Sequence, residues 1–205
     1  MSAAWPRLQN PEWSGESEEF HSRGLEVLVN RLRGQNKARI LDLAPALGST
    51  VTYLGQYACK VYIEDFYDSL SNLPRREEDD GELPLAEFIK LFAHGVDDRF
   101  DIILGWDVLG HLDEAIIKLL MQHLRFHSHP GTLLYILVPT QSQMSATPAR
   151  FSIKPDNRVL YVPGTRTKPN PGYTTRTLER MMKGFVMLHS FMLRNGLQEY
   201  VFSRT

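Results

Sequence analysis

Apolar positions along the chain fall into segments of two different periods, and the alternation between them predicts the architecture. Leu25, Leu28, Val29 and Leu32 recur at helical spacing and Gly34 stands where a helix stops, so a helix is predicted over about Glu18 to Arg33. Ala38 to Leu43 then reads as a buried strand entering the loop Ala44-Pro45-Ala46-Leu47-Gly48, after which Ser49 and Thr50 are placed to cap a short helix through Tyr57. The next strand, Val61-Tyr62-Ile63, ends on the acids Glu64-Asp65. Strand, helix and strand in this order predict a parallel unit joined by a crossover.

The same alternation continues. Pro84 suits a first helical turn, with Leu85, Phe88, Ile89 and Phe92 on one face and Gly95 as the stop. Phe100 to Leu104 reads as a strand, and a helix after Asp113 carries Leu112, Ala115, Ile116, Leu119, Leu120 and Leu124 along one stripe. Pro130-Gly131 turns the chain into a strand over Leu133 to Val138. Residues 139–172 break the pattern and are predicted as a long irregular basic loop or lid, with at most one strand around Val159 to Val162. A short helix near Leu178 to Met182 and two apolar strands, Phe185 to Leu193 and Gln198 to Ser203, complete the chain. Asn195-Gly196 between those strands predicts a type I′ hairpin turn.

Composition narrows the class. With 205 residues, 42% hydrophobic and 23% charged, the chain can bury a substantial core as one domain, residues 1–205, with an N-terminal arm over residues 1–16. The longest apolar run is far too short to span a bilayer, so a soluble, cytoplasmic protein is expected. The single cysteine, Cys59, excludes an intrachain disulfide and reads as an inert, part-buried thiol. A net charge of −1 hides an acidic excess over Glu64 to Asp101, including Glu77-Glu78-Asp79-Asp80, and a basic segment over Arg150 to Lys183. The basic segment lacks an interleaved aromatic ladder, which argues against nucleic acid as a partner.

The motif I-L-D-L-A-P-A-L-G-S at Ile40 to Ser49 resembles the first motif of class I S-adenosylmethionine-dependent methyltransferases. Glu64-Asp65 and F-D-I-I-L-G-W-D-V-L-G-H-L-D at Phe100 to Asp113 continue the resemblance in register. It covers about Gly24 to the C-terminus and implies a Rossmann-like α/β fold: an open, mostly parallel sheet, helices on both faces, and a C-terminal antiparallel hairpin strand. No convincing third strand can be placed between Asp65 and Phe100. The loop departs from the family, since Ala44 and Ala46 stand where glycines let backbone approach the cofactor, Pro45 removes a donor, and Gly48 alone remains.

The resemblance implies S-adenosylmethionine as cofactor, with Asp42, Ala44, Ala46 and Gly48 organising its methionine end. It assigns the ribose hydroxyls to Asp65, with Glu64 as the alternate because adjacent strand residues face opposite ways. Asp65 could equally be a solvated acid or helix cap, and Asp42 could cap the following helix. Trp106 and Asp107 lie at the strand end where open α/β sheets bind ligands, although a single Trp is as readily core. Asp107 and His111 are the candidate catalytic residues, His111 as a general base or else as a structural histidine at a helix start. His123, His127 and His129 invite a metal reading, but no Glu follows the first histidine and the group precedes a Pro-Gly turn. No metal is assigned, and a solvated helix end is expected there.

Two functions from different classes follow. One is methyl transfer to a small or conjugated, anionic acceptor beneath a basic lid. The other is a non-catalytic member of the fold that holds the cofactor or serves as a protein-interaction module, with a protein partner or a homodimer as its assembly. A nicotinamide-dependent oxidoreductase is disfavoured by the terminal hairpin and by the absence of three spaced glycines.

Overall fold

The computed structural model describes residues 16–73 and 83–205. The first half contains β1 (Glu18–His21), α1 (Arg23–Arg33), β2 (Ala38–Asp42), α2 (Gly48–Leu54), β3 (Cys59–Ile63), α3 (Phe66–Ser71), α4 (Leu85–Ile89) and β4 (Phe100–Trp106). A 3-10 turn at Val108–His111 leads into α5 (Glu114–Phe126) and β5 (Ser128–Pro139). Then come β6 (Gln143–Ser145), β7 (Arg150–Lys154), β8 (Arg158–Val162), β9 (Thr167–Pro169), α6 (Thr175–Met181), β10 (Phe185–Met192) and β11 (Leu197–Arg204). The N-terminal arm up to residue 15 and the acidic run Glu77-Glu78-Asp79-Asp80 lie outside the described residues.

The central sheet has the order β10-β11-β5-β4-β2-β3. Strands β5, β4, β2 and β3 are parallel, and β11 returns antiparallel between β5 and β10. This is the Rossmann-like arrangement with an antiparallel C-terminal strand. Among the described residues β3 is an edge, and the stretch between it and β4 contributes α3 and α4 rather than a strand. Alternate residues of the buried strands feed two cores. Leu41, Ile103 and Ile136 pack with residues of α4, α5 and α6, whereas Ile40, Ile102 and Tyr135 pack with α1, α2 and β7.

Several expectations are corrected. The first helix begins at Arg23, because Glu18–His21 pairs with β8 and Ser22, extended at φ −98, caps α1 by accepting from the Leu25 amide at 2.8 Å. The α2 helix has no side-chain cap, since Thr50 Oγ1 instead accepts from the Ile153 amide of β7 at 3.1 Å. In α4 the helix stops after Ile89, and Leu85 and Ile89 are exposed while Phe88 and Phe92 are buried. The buried stripe of α5 runs through Ile117, Leu120, Met121 and Leu124, leaving Ala115 exposed. Gly196 alone is left-handed in the last turn, at φ +79, so the hairpin has a three-residue loop closed by Leu193 N–H donating to Leu197 O rather than a type I′ pair.

The largest correction concerns residues 139–172, which form four strands. Strands β7 and β8 make an antiparallel hairpin that β1 extends to three strands, and β6 pairs with β9. Ile153, Phe151 and Val159 are buried against the α1 and α2 side of the sheet, so the segment is packed structure rather than an irregular lid.

A buried polar knot joins α1 to the sheet. The Glu199 carboxylate, fully buried on β11, accepts from Tyr135 OH at 2.7 Å, from the Gly24 amide at 3.1 Å and from Ser22 Oγ. A side chain at Gly24 would bring its Cβ to 2.5 Å from Tyr135 Cε2, a ring that this knot holds in place. Gly24→Ala is therefore expected to destabilise the fold by about 1–3 kcal/mol in urea denaturation. Gly48→Ala, whose Cβ would meet nothing within 4 Å, should leave stability unchanged or raise it by up to about 1 kcal/mol.

Candidate functional site

A cavity of about 170 Å³ opens where β2, β3 and β4 end. Its walls come from the loop Leu43-Ala44-Pro45, from Asp65, Tyr67, Asp68 and Ser71 at α3, from Gly105 to Val108, and from Thr147 to Arg150, which form the roof. Carboxyl ends of parallel strands are where open α/β sheets bind ligands. Of the nine sequence-derived site residues the cavity takes in Ala44, Asp65, Trp106 and Asp107, whereas Asp42, Ala46, Gly48, Glu64 and His111 lie outside its lining.

Asp65 caps α3, accepting from the Asp68 amide at 3.3 Å, and it also lines the cavity. Burial raises its carboxyl above the ordinary value, and the Asp68 amide and the charge of Arg150 offset part of that. Glu64 is the correction. Its carboxylate points away from the cavity and accepts from the Ala93 amide at 3.0 and 3.1 Å, the His94 amide at 3.1 Å and His94 Nδ1 at 3.2 Å. Burial alone would raise the Glu64 pKa, but these hydrogen bonds carry it below the ordinary value.

Asp42 does not line the cavity and does not cap α2. It is buried beneath the loop, where Oδ1 accepts from the Trp106 indole at 2.8 Å and from the Ala44 amide at 3.1 Å. Ala46 and Gly48 are exposed outside the lining. Trp106 has a left-handed backbone at φ 48, and its ring stacks on Phe151 of β7 at 5.0 Å, so the indole is core and its backbone forms the wall.

Asp107 Oδ2 accepts from the Ala149 amide at 3.0 Å, tying the roof to the end of β4, while Oδ1 is buried with no hydrogen-bond partner among the described residues. His111 Nε2 lies 3.5 Å from the same Oδ2, but the His111 side chain is fully enclosed, edge-on to Tyr67, and is not in the lining. As it stands, His111 cannot meet an acceptor directly. Of the basic segment, Arg150 lines the cavity, and Lys168, whose pKa burial lowers, feels the charge of Asp107. Arg180 and Lys183 line a separate recess between α5 and α6. The basic residues therefore do not converge into one lid.

His129 pairs with Asp101 at 3.1 Å, apart from the other histidines. His123 and His127 are buried rather than solvated. Burial and neighbouring imidazoles push His123 down to about 3, and burial also lowers His127, so neither provides a cation for the helix end. His94, which sequence reasoning missed, joins them from a loop 29 residues before His123.

Burial raises Asp42 to about 7, against the lowering effect of the Trp106 and Ala44 hydrogen bonds. A carboxyl raised in this way binds more protons folded than unfolded, so its contribution is greatest below about pH 4 and falls as pH rises towards 7. At about 1.4 kcal/mol per pKa unit the loss is a few kcal/mol at most. Asp42→Asn keeps an acceptor for both donors, and should flatten this part of the stability profile measured by denaturation between pH 4 and 7.5.

Comparison with known proteins agrees with the geometry. The structure superposes on a glycopeptide N-methyltransferase, MtfA, complexed with sinefungin, at a TM-score of 0.51 and 16% identity, over 90% of this chain and 86% of that one. A TehB-like S-adenosylmethionine-dependent methyltransferase from Corynebacterium glutamicum gives a TM-score of 0.50 and 13% identity over 89% of this chain and 88% of that one. An S-adenosylmethionine-dependent methyltransferase from Clostridium acetobutylicum gives 0.50 and 12%, over 88% of each chain. At these identities the likeness is one of fold. No curated protein sequence matches the chain significantly. Among the described residues no helix is long and apolar enough to cross a membrane. A family model described as a methyltransferase domain matches residues 17–186, and by that match, which takes in β2, β3, β4 and the cavity they end on, the chain belongs to the methyltransferase domain family.

Proposed function

We propose that the protein transfers a methyl group from S-adenosylmethionine to a small or conjugated acceptor that carries an anionic group. The observation that carries this reading is the cavity at the ends of β2, β3 and β4, with Asp65 at a strand end and Asp107 in its wall. S-adenosylmethionine brings an already activated methyl group on a sulfonium, so the protein's task is alignment and electrostatics. Asp65 is suited to accept hydrogen bonds from ribose hydroxyls, and Leu43 to Pro45 offer backbone to the methionine end. Once the segment held by Asp107 Oδ2 moves aside, Asp107 is suited to orient the acceptor or take its proton through its other, now buried oxygen, and His111 acts behind Asp107 as a positioning residue. Arg150 and Lys168 supply positive charge for an acceptor carboxylate or phosphate.

Ligand sites usually enclose about 300–1,000 Å³, more than the 170 Å³ present here, so a ligand of the cofactor's size must displace the roof at Thr147 to Arg150. The same roof favours the second reading, a non-catalytic protein whose cavity is closed by its own chain through the Ala149 to Asp107 bond.

Calorimetric titration with S-adenosylhomocysteine tests the first reading. Binding is expected, and Asp65→Asn should weaken it about tenfold while leaving stability intact, because Asn also caps a helix. No heat and no melting shift at millimolar ligand would remove cofactor binding. Hydrogen exchange then separates the two readings. The Ala149 amide should exchange slowly in the free protein and faster once the ligand lifts the roof, whereas binding with unchanged exchange favours the closed, non-catalytic protein.

A further inference from the structure

On the other side of Glu64 from the cavity, three buried imidazoles converge. One ring nitrogen from each of His94, His123 and His127 lies within 4.8 Å of the others. His94 Nε2 and His123 Nε2 are 3.0 Å apart. Two nitrogens bound to one tetrahedral zinc at about 2.0–2.1 Å each would stand about 3.3 Å apart, so this pair needs only a small adjustment and His127 a modest ring shift.

Hydrogen bonding on the outer nitrogens fixes which lone pairs face inward. His94 Nδ1 lies 3.2 Å from Glu64 Oε1, an ionised carboxylate that can only accept, so this ring nitrogen carries the hydrogen and donates it in the bond. His127 Nδ1 lies 2.9 Å from Asp98 O, and a backbone carbonyl can only accept. In their neutral forms both rings thus keep Nε2 as a lone pair. His123 Nε2 carries at most one hydrogen and can satisfy only one of them in a direct bond. An imidazole whose outer N–H is held by a carboxylate or a carbonyl is the arrangement found around metal-bound histidines, where it sets ring orientation and raises basicity.

We propose that His94, His123 and His127 bind one Zn²⁺ ion, with Glu64 orienting His94 and the Asp98 carbonyl orienting His127, and with water completing the coordination. Imidazole sets of this kind suit zinc, and with three protein ligands the fourth position is left to solvent or an exogenous donor. His123 and His127 stand four residues apart on α5, and His94 comes from the loop after α4, so the ion ties that loop to the helix. The site is separate from the cavity and does not depend on the cofactor reading.

The test uses the full chain, freed of metal by chelator dialysis and titrated with ZnCl2 by calorimetry, and with CoCl2 while visible absorption is recorded. One equivalent of Zn²⁺ should bind and raise the melting temperature, and Co²⁺ should produce d–d bands that Zn²⁺ abolishes. His127→Gln and His94→Gln preserve volume and should each weaken Zn²⁺ binding at least a hundredfold. Glu64→Gln should weaken it about 10–100-fold. His129→Gln, whose ring pairs with Asp101 outside the cluster, should bind as the parent does. No saturable Zn²⁺ binding by the folded parent, or equal loss in His129→Gln and His127→Gln, overturns the proposal and leaves the histidines as a neutral packed cluster.

Discussion

A single buried carboxylate holds the ends of two strands together, and much of the candidate site depends on it. Asp42 stands at the end of β2 with almost no solvent contact, so both of its hydrogen bonds must come from the protein. One donor is the Ala44 amide and the other is the Trp106 indole at the end of β4. The first shapes the loop that lacks glycines. The second anchors Trp106, whose backbone is left-handed and whose neighbours Gly105 and Asp107 line the cavity. Because the Trp106 ring also stacks on Phe151, the same acid indirectly seats the β7 and β8 hairpin over the site.

Glu64 and Asp65 divide the molecule in a different way. Adjacent in sequence, they serve opposite sides of the sheet edge, one engaged with the Ala93-His94 backbone and the histidines, the other facing the cavity and Arg150. A perturbation of the histidine loop is therefore felt one peptide away from the cavity. Coupling between the two sides would run through the peptide that joins Glu64 to Asp65 at the end of β3.

The parallel sheet was legible because β2, β4 and β5 are buried on both faces and read as apolar runs, and because Asp113 and Pro130-Gly131 punctuate α5 and β5. Strand alternation made it legible that Glu64 and Asp65 face opposite ways, as they do. What escaped was non-local. The four residues of β1 resemble a helix start until β8 pairs with them, and β6 to β9 are three to five residues long with polar positions that mimic loop sequence. For Trp106 and His111 the sequence leaves ligand contact and a core or structural role open, because a left-handed φ and full enclosure cannot be seen in a residue string. His94 carried no local signal, as its partners lie on a helix that only the fold brings near.

The pairing of β1 with β8 sets an order of events during synthesis. Glu18 lies opposite Tyr161, so the three-stranded sheet cannot close until β8 has left the ribosome. The parallel units around β2 and β3 involve close neighbours in sequence and can assemble earlier, whereas a contact spanning well over a hundred residues carries a large loop-closure cost. The roof of the cavity, which runs into β7, is thus completed later than the parallel units. Until then the nascent protein exposes the apolar surface around Trp106 that Phe151 later covers, and that interval, rather than the finished fold, is where the chain is most open to aggregation or to a chaperone.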